Sequence, residues 1–193
     1  MGWLEYRATH YKNGKVDRKA EMDATYNWED ENRKVEVLKS SMVGSTYYAA
    51  VKSINKTNGF ECVTAAVCLT STDSKNYYNF AYKDMDETCG PSKCDCPKGI
   101  LDLLTPTENE YALAWRKACR ENLTKKTDES LLSNLPVGSE IKFTLYDGRE
   151  CIAFKHPPAY QFKRPFWKLK SDYGYIKTKN IPDNYEVIKR GDC

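Results

Sequence analysis

The chain has 193 residues, 40% of them apolar and 30% charged, with 30 basic and 27 acidic side chains and a net charge of +3. That length suits one ordinary domain or two small ones and supports a core without disulfide staples. The composition excludes a low-complexity chain, and no apolar run approaches the ~20 residues that span a bilayer, so no membrane partner is expected.

Met1-Gly2-Trp3-Leu4-Glu5-Tyr6 has no basic segment leading into an apolar one, so a cytoplasmic location is expected. In such a reducing compartment the eight cysteines are expected as thiols. Cys62 and Cys68 read as small core residues, Cys119 as helical, Cys151 as part of a strand and Cys193 as exposed. Only Cys89, Cys94 and Cys96 cluster.

Tyr6 to Tyr11 reads as a short strand ending in the turn Lys12-Asn13-Gly14-Lys15. Asp17 is placed to cap a charged helix that reaches Tyr26, and residues 27–32 read as a loop. Val35 to Ser41 alternates apolar and polar residues. Ser45 to Ile54, Phe60 to Thr70 and Tyr77 to Tyr82 read as further strands, separated by turns at 55–59 and 71–76. A short helix is expected to open at Pro97. Thr105-Pro106-Thr107-Glu108 has the form of a capping box with proline at the first helical position, predicting a helix from there to about Glu121.

Residues 125–134 are polar and read as a linker. Beyond it, Glu140 to Tyr146, Arg149 to Lys155, Pro165 to Lys170, Tyr173 to Lys177 and Glu186 to Lys189 read as strands, the first two joined by a turn at Asp147-Gly148. The expected fold class is α+β. An antiparallel β-meander with packed helices, residues 1–124, precedes a small β-barrel, residues 135–193.

Leu145-Tyr146-Asp147, Phe166-Trp167, Gly174-Tyr175-Ile176 and Ile181-Pro182-Asp183-Asn184-Tyr185 follow one another in the order of landmarks of SH3 domains. The last third of the chain therefore resembles an SH3-type barrel, a likeness that implies a shape and no particular ligand. Longer stretches carry a second resemblance. They are Met1-Gly2-Trp3, Tyr11 to Ala20, Met42 to Lys52, Tyr82 to Pro91 and Ala159 to Pro165. On these the chain resembles an uncharacterised family of small proteins from low-GC bacteria, their phages and mobile elements. That resemblance implies a setting of conflict between mobile elements and host defences, in which accessory proteins bind nucleic acid or inhibit nucleic-acid machinery.

Three constellations could carry chemistry. Cys89, Cys94 and Cys96 read as three ligands of a structural zinc completed by Cys119, His10 or water, or else as free thiols around a Gly-Pro turn. No other cofactor is expected. Asp84, Asp86 and Glu87 follow a strand, where a metal-dependent phosphodiesterase would hold Mg²⁺, or they form a solvated strand end. The third stretch interleaves cations with rings: Lys155, Tyr160, Phe162, Lys163, Arg164, Lys168 and Lys170 around Phe166 and Trp167. Lys and Arg neutralise phosphates and exposed rings stack on unpaired bases, so these seven are the expected binding residues. The alternative is that the rings fill a core and the cations are solvated.

The chain holds only two histidines, and neither is tied by spacing to a nucleophile. The expectation is a non-enzymatic binding protein, an anti-defence or anti-CRISPR-like inhibitor, whose partner is nucleic acid or a nucleic-acid-binding protein complex. The alternatives are a metal-dependent enzyme on nucleic acid or nucleotides using Asp84, Asp86 and Glu87, and a structural or host-interaction module.

Overall fold

The computed structural model describes residues 2–72, 78–170 and 174–191. Most of the turn expected at 71–76, the first residues of the strands expected at Tyr77 and Tyr173, and Cys193 lie outside the described residues. The chain divides into two units, Met1–Leu123 and Thr124–Cys193.

In the first unit, β1 (Leu4–Tyr6) leads to a hairpin of β2 (Tyr11–Lys12) and β3 (Lys15–Val16) and to helix α1 (Arg18–Thr25). The Asp17 side chain caps α1 by accepting from the Ala20 N–H at 3.1 Å. Then come β4 (Trp28–Glu29), β5 (Arg33–Val43), β6 (Thr46–Asn55), β7 (Glu61–Ser71) and β8 (Phe80–Asp84). One 3-10 turn at Glu87–Cys89 precedes the short helix α2 (Lys98–Leu101) and the long helix α3 (Glu110–Asn134). Six strands pair in the order β1-β8-β7-β6-β5-β4.

The central strand β6 reads Thr-Tyr-Tyr-Ala-Ala-Val from residue 46, and all six are buried. Successive side chains point to opposite faces, so a strand buried throughout needs cover on both. One face places Tyr48 and Ala50, with Val63, Ala65 and Val67 of β7, against Ile100 and Leu101 of α2 and Trp115 and Cys119 of α3. The other places Tyr47, Ala49 and Val51, with Ala66, Cys68 and Phe80, against Met22 of α1. Alanines meet directly across β6 and β7, Ala49 with Ala66 and Ala50 with Ala65, leaving room for the larger side chains that cover them. Leu38 is left over where the β5 register slips between Val37 and Lys39, a bulge that bends this long strand.

The second unit contains the end of α3 and strands β9 (Glu140–Thr144), β10 (Glu150–His156), β11 (Phe166–Leu169), β12 (Tyr175–Ile176) and β13 (Glu186–Lys189). They pair in the order β12-β11-β10-β9-β13. The inner face packs Ile141, Phe143, Cys151, Ala153 and Trp167 with Leu132 and Ile181. Side chains as fully buried as Ile141 and Phe143 contribute about 1.5–3 kcal/mol each. Gly191 lies so near that a Cβ there would be 2.0 Å from the Val137 carbonyl oxygen, so this approach requires glycine.

These findings correct the expected fold class. Among the described residues the chain is mostly β, with thirteen strands in three sheets and one long helix. The first sheet is not a four-strand meander. The amino-terminal β1 lines its edge beside β8, and β4 forms within the expected loop at 27–32. Among the described residues the second sheet is open and not a closed barrel: its edge strands β12 and β13 do not pair. Between them the chain makes a 3-10 turn at Thr178–Asn180 and sends Ile181 into the core.

The long helix also departs from expectation at both ends. It starts at Glu110, capped by Asn109, whose side chain accepts from the Ala112 N–H at 3.0 Å. Thr105 is drawn instead onto β7, where its N–H and hydroxyl both donate to the Val63 carbonyl at 3.0 and 3.1 Å. Preceding a proline, Thr105 also disfavours the helical conformation. At the other end the helix continues to Asn134, through the stretch read as a linker. No helix among the described residues is long and apolar enough to cross a membrane.

Candidate functional site

The outward side of the second unit's sheet carries rings in register. Alternation along β10 sends Cys151 and Ala153 inward and leaves Ile152, Phe154 and His156 on the opposite side. Pairing with β11 sets His156 opposite Phe166 and Phe154 opposite Lys168; pairing of β11 with β12 sets Lys168 opposite Tyr175. The rings form a continuous ladder. Phe154 and His156 lie 5.8 Å apart, His156 stacks on Phe166 at 5.0 Å, and Phe166 stacks on Phe162 at 4.3 Å. Phe162 then meets Tyr175 edge-on at 4.6 Å. All five keep part of their surface in solvent.

Tyr160 stands beyond the ladder. Ala159 and Phe162 exchange two backbone hydrogen bonds, of 3.0 and 2.8 Å, so Tyr160 and Gln161 form the tip of a tight turn after the stiff Pro157–Pro158 pair. The Tyr160 ring is fully exposed, at 106%.

The charges on this side divide into two groups. Lys142 pairs with Glu150 and Lys170 with Glu140, each at 2.8 Å, so that end is compensated. Lys163, Arg164 and Lys168 border the ladder and have no ion-pair partner among the described residues. Lys168 lies between the two ring positions Phe154 and Tyr175.

Of the seven expected binding residues, the structure gathers Tyr160, Phe162, Lys163, Arg164 and Lys168 here. Lys170 lies nearby but is engaged by Glu140. Lys155 does not belong to the site. It is 6% exposed and points inward, where its ammonium donates to the carbonyls of Leu132, Ser133 and Leu135 at 3.3, 2.6 and 2.6 Å. All three donors are used to close the carboxyl end of α3, where a cation is also favoured by the helix dipole. Burial lowers its pKa below that of a free lysine. Lys155→Met is expected to cost about 2–3 kcal/mol in chemical denaturation, because three carbonyls lose their donor, and to leave any binding at the outer face intact.

The acidic trio separates into three structural roles. Asp84 accepts from the Tyr26 hydroxyl at 2.9 Å, the Cys68 thiol at 3.8 Å and the Asp86 N–H at 3.1 Å. Burial pushes the Cys68 thiol up to about 12, so it stays protonated and donates. Asp86 caps the 3-10 turn by accepting from the Thr88 N–H, and burial beside Asp84 and Glu87 raises its pKa. Glu87 is 1% exposed and turns into the core to Arg116.

The cysteine cluster also divides. Cys89 is exposed, Cys94 half-buried, and Cys96 is buried with Cys119 in the first unit's core. Burial pushes the Cys119 thiol up to about 12 and raises Cys96 as well. Among the described residues, no three His, Cys, Asp or Glu side chains are grouped to hold a metal ion.

Phe154, His156, Phe166 and Tyr175 were not among the expected binding residues. The alternation of β10 carries the signal for two of them: if Cys151 and Ala153 face the core, so does Lys155, and Phe154 and His156 do not.

Residues 106–178 match a protein family described as a domain of unknown function (DUF6927), a span that runs from before α3 through β12. No curated protein and no solved structure matches the chain.

Proposed function

We propose that this protein is a non-enzymatic binding protein that takes single-stranded nucleic acid on the outer face of its second sheet. The observation that carries this reading is the five-ring ladder bordered by Lys163, Arg164 and Lys168. Bases present π-faces that stack on such rings, each worth about 1–3 kcal/mol, while lysine and arginine track the phosphates. Sheet surfaces with aromatic side chains serve single-strand recognition in this way elsewhere. An acidic protein surface would satisfy the cations but would not call for the rings. The resemblance to proteins of phages and mobile elements supplies the setting, an accessory protein that interferes with nucleic-acid machinery of the host.

The test is fluorescence anisotropy of the full chain with one labelled sequence, presented as a single strand and as a duplex. Stacking requires unpaired bases, so the single strand is expected to bind at least about tenfold more tightly. Equal affinities, or no binding of either, would contradict the reading.

A further inference from the structure

Lys12 and Lys15 flank the Asn13–Gly14 turn, and the register of β2 and β3 sets them directly opposite each other. Asn13 and Gly14 take φ of 52° and 73°, the tight two-residue turn that fixes this register. Opposed like charges work against pairing, and this hairpin has only two residue pairs to offset them. Arg18 and Lys19 then occupy the first turn of α1, where the helix dipole disfavours cations. Four cations therefore stand where folding alone would favour other residues.

They converge on one cleft of about 660 Å³ that Val16 and Met42 line with apolar surface. Its one carboxylate, Asp17, is engaged in capping α1. Lys19 is held by Asp23 at 2.6 Å. Lys12, Lys15 and Arg18 have no ion-pair partner among the described residues. Asp17 already caps the helix, so the positive character comes from side chains and not from free backbone N–H groups.

We infer that this cleft is a second anion site, one that binds phosphate groups through Lys12, Lys15 and Arg18. Arginine meets a phosphate with two parallel N–H donors, and the lysines add point charges. Three free cations against the Asp17 carboxylate suit a ligand with at least two negative charges, such as a pyrophosphate moiety or adjacent phosphodiesters. The phosphates could come from a small phosphorylated molecule or from a nucleic-acid backbone.

Isothermal titration of the full chain with inorganic pyrophosphate, and separately with a short single-stranded oligonucleotide, distinguishes these sources. Lys12→Glu and Arg18→Ala are each expected to weaken the bound probe at least tenfold. Lys12→Glu also converts a like-charge pair into an opposite-charge pair, so its melting temperature is expected to hold or rise while affinity falls. Pyrophosphate binding is expected to survive Phe166→Ala unchanged. Losses confined to the oligonucleotide assign the site to a backbone; losses with pyrophosphate assign it to a small phosphorylated ligand. The inference is overturned if neither probe binds, if affinities stay within twofold of the parent, or if affinity falls only with the melting temperature.

Discussion

Reversing Lys163, Arg164 and Lys168 together to glutamate is expected to lower affinity for a single-stranded oligonucleotide by at least about 100-fold at ~0.1 M salt. These three cations border the ring ladder without acidic partners among the described residues, so each is available to a phosphate. Single-strand binding releases about 0.7 counterion per phosphate contact, and three contacts give a log–log salt slope of about −2. Reversal removes those contacts and replaces attraction with repulsion at the same positions. Lys170 is left out because Glu140 already holds it at 2.8 Å, and reversing it would break that pair. Lys163 and Arg164 are exposed, Lys168 is half-buried, and none of the three has an ion-pair partner among the described residues, so the melting temperature is expected to change little. Anisotropy and circular dichroism measure the two effects. A loss of less than about threefold, with folding intact, would remove the cations from the site.

The largest stability effect is expected at Arg116. Its guanidinium donates to both Glu87 carboxylate oxygens, at 2.6 and 2.8 Å, and to the Thr105 carbonyl at 2.6 Å. Glu87 in turn accepts from the Ala65 N–H of β7 at 3.0 Å. The cluster ties the 3-10 turn, β7 and α3 together, and both charged side chains are buried. Arg116→Met leaves a carboxylate buried and unpaired, which costs about 3–5 kcal/mol. The double variant Glu87→Leu with Arg116→Met removes both charges, and is expected to cost less than Arg116→Met alone. Its remaining deficit is the unpaired Ala65 N–H and Thr105 carbonyl, of which the second is already lost in Arg116→Met. Thermal melts of the parent, Glu87→Leu, Arg116→Met and the double variant close the cycle. Additive losses would show that the pair is not coupled.

Local pattern made much of the chain legible. Asp17 as a cap, the Asn13–Gly14 turn and the strand positions in the second unit follow from side-chain chemistry within a few residues. So does the orientation of β11, where Trp167 enters the core and Phe166 and Lys168 do not. What stayed hidden depends on partners distant in sequence. Glu87 reads as one of three neighbouring acids until Arg116, 29 positions on, claims it. Thr105 has the sequence of a helix cap, but Val63 competes for its hydrogen bonds. The edge position of β1 beside β8 has no local signal in either strand. Lys155 is the instructive case: its residue type points to a surface cation and its place in the alternation to the core. Three carbonyls at the end of α3 make the alternation prevail.

The central claim, that unpaired bases stack on the ring ladder, is tested most directly by following the aromatic resonances of the full chain by NMR during titration with a short oligothymidine. Ring-current shifts are expected at His156, Phe162, Phe166 and Tyr175, saturating together with the anisotropy signal and weakening as salt is raised. Binding that leaves these rings unshifted, with perturbations confined to other parts of the chain, would contradict it.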